Sequence, residues 1–205
     1  MSIDRKINRI QFLTGNSLKF IAVLTMVIDH LCKIVLQWLL SNYWGTMVDN
    51  EQMSWERFQE IDNLIRFDLQ SIGTIAFPLF CFLLAEGFQH TRSKKRYIGL
   101  MLAFALISEI PFDIGFFSAY SRMEGTFPFY LKYQNVFFTL FLGLLTLVCL
   151  ERFSCESDLP VDRIKSVVLQ VLSVVLFSSI AEGIRCDYGM QAVSYTHLRA
   201  HETRG

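Results

Sequence analysis

Three sets of ionisable side chains fall inside long apolar stretches of the sequence. Asp29, His30 and Lys33 lie in LKFIAVLTMVIDHLCKIVLQWLL, Glu86 and His90 close a run that begins at Ile72, and Glu109 and Asp113 sit in FALISEIPFDIGF. An ionisable group at hydrocarbon depth costs about 2.5–3.5 kcal/mol on insertion scales, so each needs a partner or a task. A neutral histidine can act as a general base near neutral pH, and His30 is such a candidate. Asp29 and Lys33, four apart in the favourable order, can neutralise each other as a self-contained salt bridge. On an ideal helix Lys19, Asp29, His30, Lys33 and Gln37 share an arc of about 100°, a face expected to line a protein interior or a wet cavity. Glu109 and Asp113 are like charges one turn apart, which is unfavourable unless one is protonated or a cation is near. Pro111 between them frees the carbonyl of Ile107 and predicts a broken, acidic helix where a substrate could enter, or else a helix end at the interface. Glu86 and His90 precede the basic knot Arg92, Lys94, Lys95 and Arg96, and pairing between Glu86 and that knot is the structural alternative to a chemical role.

The elements that must position these groups follow from composition. Of 205 residues, 52% are hydrophobic and 19% charged, and the charges gather between the apolar runs, where about 25% charged is usual for a soluble domain. The expected fold is all-α, a polytopic transmembrane helix bundle of about five spans near 18–40, 72–88, 97–117, 136–150 and 164–184. Residues Ser54–Leu69 carry apolar positions at helical spacing and predict an interfacial amphipathic helix, lying on the membrane surface or packed on the spans. Gly73 and Pro78 predict close packing and a kink that frees the carbonyl of Thr74. Asn135 is expected to cap the fourth span, whose Thr139 offers a hydrogen bond across helices. The aromatic stretch with Tyr120, Phe127, Phe129, Tyr130 and Tyr133 fits an interfacial belt.

Lys+Arg equals Asp+Glu in number, so charge gives no argument for a nucleic-acid partner; the expected partner is the lipid bilayer. Basic residues concentrate in the N-terminal segment, at 92–96 and at 152–165, which predicts an N-terminus inside, with 41–70 and 118–133 outside. The cysteines Cys32, Cys81, Cys149, Cys155 and Cys186 form no CxxC pair, so neither a disulfide framework nor a metal site is expected. No GxSxG, P-loop or Rossmann pattern occurs. The first span is expected to be retained and not removed as a signal peptide. Val193–Thr203, VSYTHLRAHET, reads as a translated sequencing adaptor. Residues 1–192 are therefore expected to form a single membrane domain, truncated near Ala192, with 193–205 a non-native tail in which His197 and His201 carry no weight.

Leu18–Ile34, Ile72–Ile98, Phe104–Phe116, Gln134–Leu145 and Asp187–Gln191 resemble the TraX family, the FP-aromatic-CFLL-x-EG-F-x-HT and SEIPFD strings being the specific ones. That family is named for a conjugal-transfer protein that N-acetylates pilin and is grouped with integral-membrane acyltransferases. The resemblance implies transfer of an acetyl group from acetyl-CoA, or of another acyl group from its CoA ester, to a protein, lipid or glycan acceptor at a bacterial cytoplasmic (inner) membrane. By position within the first span it implies His30 as the catalytic residue with Asp29 as partner. Glu86, His90, Glu109 and Asp113 match the family's motifs without a role that the resemblance assigns, and with Lys33 they are the supporting candidates. Arg92, Lys94, Lys95 and Arg96 would attract the phosphates of the donor; the alternative for that knot is pure topology. The competing functional class is a membrane transporter or non-catalytic subunit that uses the buried carboxylates as proton relays or inter-helix glue.

Overall fold

The computed structural model describes residues 15–154 and 159–187. Among the described residues five helices are long and apolar enough to cross a membrane: α1 Gly15–Asp49, α2 Trp55–His90, α3 Lys94–Met123, α4 Val136–Phe153 and α5 Pro160–Gly183. Among the described residues there is no strand, only one isolated bridge between Gln134 and Cys186. Two compact units divide within α2, after Leu83, and each is taken by itself. Cys155 and the expected non-native tail 193–205 lie outside the described residues, as does the DYGMQ segment beyond Asp187.

The helices exceed the expected spans, and the excess has a local cause. Residues 41–70 are expected as an outer, mostly polar region, yet α1 continues to Asp49. Ser41, Asn42 and Thr46 turn their side chains onto the carbonyls of Gln37, Trp38 and Asn42, so polar residues are satisfied without leaving the helix. At 35 residues α1 is roughly 50 Å long, well beyond a hydrocarbon core of about 30 Å. Its turns widen to the π-helical spacing at Leu31–Leu36 and again at Leu40–Trp44. Helix α2 starts at an N-cap, Ser54, whose hydroxyl accepts from the Arg57 N–H at 3.3 Å.

In the first unit, the expected amphipathic helix is the opening part of α2 and not a separate element. Of the two placements its pattern allows, the apolar face is packed on a span. Phe58, Ile61, Ile65 and Leu69 gather with Ile28, Cys32, Leu36, Leu40 and Trp44 of α1. Ile75 interrupts the helix just before Ala76, where Pro78 cannot supply the N–H that the Thr74 carbonyl would use.

In the second unit, α4 packs on both α3 and α5. Helix α4 buries leucines together with Thr139, Gly143 and Thr146, while in α5 the pattern is inverted relative to a soluble bundle: Ser166, Ser173, Ser178 and Ala181 are buried. The aliphatic Val167, Val168, Val171, Leu172, Val175 and Leu176 face outward. Lipid tails are as apolar as leucine, so small and hydroxylated residues make the helix contacts and aliphatic ones meet lipid. Pro111 does not break α3, which runs unbroken from Lys94 to Met123. The expected opening in that helix is absent.

Candidate active site

In the first unit the site is built on the side of α1 that meets the Gln70–Thr74 stretch of α2. Ala22, Thr25, Asp29 and Cys32 form its buried stripe, spaced three and four apart as one helix face must be. Asp29 is 4% exposed. One of its oxygens, Oδ2, accepts from Lys33 Nζ at 2.8 Å; the other, Oδ1, is buried with no hydrogen-bond partner among the described residues. The backbone comes this close because residue 73 is glycine. A Cβ there would lie 2.5 Å from the Asp29 Cβ and 2.7 Å from Oδ1. The close packing expected at Gly73 is therefore packing onto the candidate site itself.

His30 occupies the next position on α1, with its side chain 40% exposed. Its Nδ1 stands 2.9 Å from the Met26 carbonyl and 3.9 Å from Asp29 Oδ2. A carbonyl oxygen can only accept, so in the neutral ring Nδ1 carries the proton and Nε2 the lone pair. The backbone one turn earlier thus orients the ring, and Asp29 Oδ2, which accepts from Lys33, stands near the same nitrogen. The polar arc expected along α1 is only partly enclosed. Asp29 alone is buried, Lys33 and Gln37 are half-buried, and Lys19 is exposed. The π-helical turns that begin at Leu31 shift everything beyond His30 off the ideal 100° progression.

In the second unit Glu109 and Asp113 are brought together on the buried face of α3, 7% and 0% exposed. Each carboxylate anchors the chain that returns to α4. Asp113 Oδ2 accepts from the Tyr130 N–H at 2.7 Å. Glu109 Oε2 accepts from the Asn135 N–H at 3.2 Å and from its Nδ2 at 2.5 Å, and the same amide also donates to the Ala105 carbonyl at 2.9 Å. Asn135 Oδ1 meanwhile accepts from the Phe137 N–H at 2.9 Å, the cap expected for this helix. Glu109 Oε1 and Asp113 Oδ1 are buried without a partner among the described residues. Phe112, Phe117, Tyr130 and Tyr133 stack beside them, Phe117 on Tyr130 at 4.7 Å. Asn135 is the residue that sequence reasoning placed only as a cap. Its tie to Glu109 spans 26 positions, a distance no local pattern reports. Thr139, fully buried, donates to the Asp187 carbonyl at 2.5 Å.

The turn between α2 and α3 is the third group. Glu86, His90, Arg92, Lys95 and Arg96 are exposed, with His90 Nδ1 on the Glu86 carbonyl at 3.0 Å. Of the basic knot that could pair with Glu86, Lys94 is engaged elsewhere. That lysine pairs with Glu151 at the end of α4 and lies over the Phe88 ring, 4.5 Å from its centroid. Ser93 caps α3 by accepting from the Arg96 N–H at 3.4 Å.

The family model described as "TraX protein" matches residues 14–202. The chain is also 30% identical over 186 residues to a protein of Dichelobacter nodosus named "Probable fimbrial assembly protein FimC, serogroup H1". That alignment covers 90% of this chain and 60% of the relative's length. No solved structure matches.

Proposed function

The chain belongs to the TraX family, and on that premise we propose an integral-membrane acyltransferase that moves an acetyl group from acetyl-CoA to a membrane-associated or exported acceptor. The observation that supports this reading is the His30 ring. Its Nδ1 is fixed on the Met26 carbonyl and its lone pair is therefore on Nε2, in a side chain 40% exposed at mid-helix. Nε2 takes the proton of an acceptor amine or hydroxyl as that nitrogen or oxygen bonds to the thioester carbonyl carbon. The C–S bond then breaks, and the proton passes from the imidazolium to the departing thiolate, leaving acylated acceptor and free CoA thiol. The Asp29–Lys33 pair keeps the neighbouring face of α1 locally neutral. Arg92, Lys95 and Arg96 draw the phosphates of the donor toward the membrane; Lys94, engaged by Glu151, contributes less.

The protein then resides in a bacterial cytoplasmic membrane with its N-terminus inside, where acetyl-CoA is available. A relative named for fimbrial assembly supports a pilus or fimbrial subunit as the acceptor, and a role in the assembly of such a fibre. The second reading is a transporter or non-catalytic subunit. It draws on Glu109 and Asp113, each holding one buried oxygen without a partner among the described residues, as proton-relay carboxylates do.

One experiment separates them. Membranes carrying wild type or His30→Ala receive acetyl-labelled acetyl-CoA, and label is followed into protein, lipid and glycan. Label present with wild type and lost with His30→Ala upholds the transferase and names the acceptor class. Equal label in both variants, or none above empty membranes at normal expression, rejects it in favour of the second reading.

A further inference from the structure

The loop that follows α3 and the residues that follow α5 are stitched together by backbone. The Gln134 N–H donates to the Arg185 carbonyl at 3.2 Å, and the Asp187 N–H donates to the Gln134 carbonyl at 3.0 Å. Arg185 sits between these bonds with φ +53°. Its N–H donates to the Glu182 carbonyl at 3.0 Å and the Cys186 N–H to that of Ala181 at 2.9 Å, so it is the left-handed residue that closes helix α5. Beside the stitch lies a recess of about 370 Å³ lined by Leu131, Lys132, Gln134, Gly183, Ile184 and Arg185, within the range of ~300–1,000 Å³ common for small-ligand sites.

Its lining carries two cations and no carboxylate. Lys132 Nζ is engaged by Glu124 at 2.6 Å and contributes less, so the charge of the recess rests chiefly on Arg185. The Arg185 guanidinium is exposed and has no carboxylate partner among the described residues. The flanking Glu182 and Asp187 are not among the lining residues. Gly183 adds no side chain, and a Cβ there would meet nothing within 4 Å, so the floor is open.

Its depth follows from helix lengths. Helices α4 and α5 have 18 and 24 residues, roughly 27 and 36 Å, against a hydrocarbon core of about 30 Å. The start of α4 at Val136 and the end of α5 at Gly183 therefore fall at headgroup level, and the recess opens there. Its rim is apolar and outward: Leu131 is 78% exposed and Ile184 39%. A cationic recess with an apolar rim at this depth matches a molecule that is anionic at one end and greasy at the other.

We propose that this recess binds the phosphate of a phospholipid headgroup, with the Arg185 guanidinium as its principal ligand, Lys132 as the second cation, and the acyl chains against Leu131 and Ile184. Arginine suits the task because its planar fork meets two phosphate oxygens at once. The site is independent of the acyltransferase reading.

The test counts lipids retained by the purified protein in native mass spectrometry. Phosphatidylglycerol is compared with diacylglycerol of the same chains, which lacks the phosphate, and inorganic phosphate is added as competitor. Wild type is expected to retain phosphatidylglycerol and not diacylglycerol. Arg185→Gln should cut retention about tenfold, Arg185→Lys should keep at least half, and Arg122→Gln, a cation over the Phe127 ring outside the recess, should change nothing. Arg185→Gly removes the charge while relieving the positive φ, so it should lose lipid without losing thermal stability. Equal retention of the two lipids, or of phosphatidylglycerol by wild type and Arg185→Gln, overturns the proposal. Thermal stabilisation of wild type by inorganic phosphate, with no lipid retained, overturns the lipid assignment and leaves a free-phosphate site.

Discussion

Gly73 and Asp29 are in backbone-to-side-chain contact: a single added carbon at residue 73 would overlap the Asp29 side chain at 2.5 Å. The candidate carboxylate is thus held from behind by a residue with no chemistry of its own. Gly73→Ala is expected to displace Asp29 or push the two helices apart, at about 1–3 kcal/mol for overpacking. A lowered midpoint of thermal unfolding, with reduced label transfer, is the expected result; an unchanged midpoint and unchanged transfer would show that the contact relaxes freely.

Asp29 and Lys33 should behave as a unit. Removing Lys33 alone leaves the Asp29 charge on the buried stripe, which is worse than removing both. Lys33→Met is expected to destabilise more than the double variant Asp29→Ala/Lys33→Met. A double-mutant cycle in detergent measures it, and additive effects would mean that the 2.8 Å contact contributes nothing. Lys33 is a third exposed, which places the coupling at the low end of buried pairs.

His30→Ala is expected to lower acyl transfer by about 10²-fold or more, as loss of a general base does, with unfolding unchanged within about 0.5 kcal/mol. His30→Gln keeps a donor for the Met26 carbonyl but offers no base, so it should be as inactive as alanine. Activity restored by glutamine would make the ring's role positional.

Asn135 joins Glu109, the Ala105 carbonyl and the first turn of α4. Asn135→Ala loses the cap and leaves buried groups unsatisfied, for about 1–3 kcal/mol. Asn135→Asp should be worse, since it faces Glu109 with a second carboxylate. Denaturation in detergent checks the order, and a better-tolerated aspartate would mean that Glu109 is protonated.

Cys186 lies just past α5, 5% exposed, and burial pushes its thiol up to about 11. The thiolate is the reactive form, so at pH 8 a variant with Cys186 as its sole cysteine should resist maleimide while folded and react on unfolding. Rapid labelling of the folded protein would contradict the stitch between Gln134 and Asp187.

The sequence made the five spans legible because apolar runs of this length have few other uses. The i,i+4 spacing exposed the Asp29–Lys33 pair, and Asn135 showed as a cap. Other features were hidden for physical reasons. Ser41, Asn42 and Thr46 read as loop because their bonds to their own helix leave no trace in hydropathy. Pro111 predicts a break, yet α3 runs through it. The Glu109–Asn135 tie is non-local, and the bond of His30 to Met26 is a rotamer choice that spacing does not encode.

The two carboxylates of α3 also set an order of events during synthesis. Glu109 and Asp113 leave the ribosome 26 and 17 residues ahead of the N–H groups of Asn135 and Tyr130 that satisfy them. At ~5–20 residues per second that gap lasts about 1–5 s. Through that interval α3 carries two unpaired acids, at a cost that disfavours release into lipid. The expected outcome is that the insertion machinery holds α3 until its partner emerges and that α3 and α4 enter the membrane as a hairpin. Force profiles of nascent chains should show one late pull for the pair, and Glu109→Leu/Asp113→Leu should split it into two.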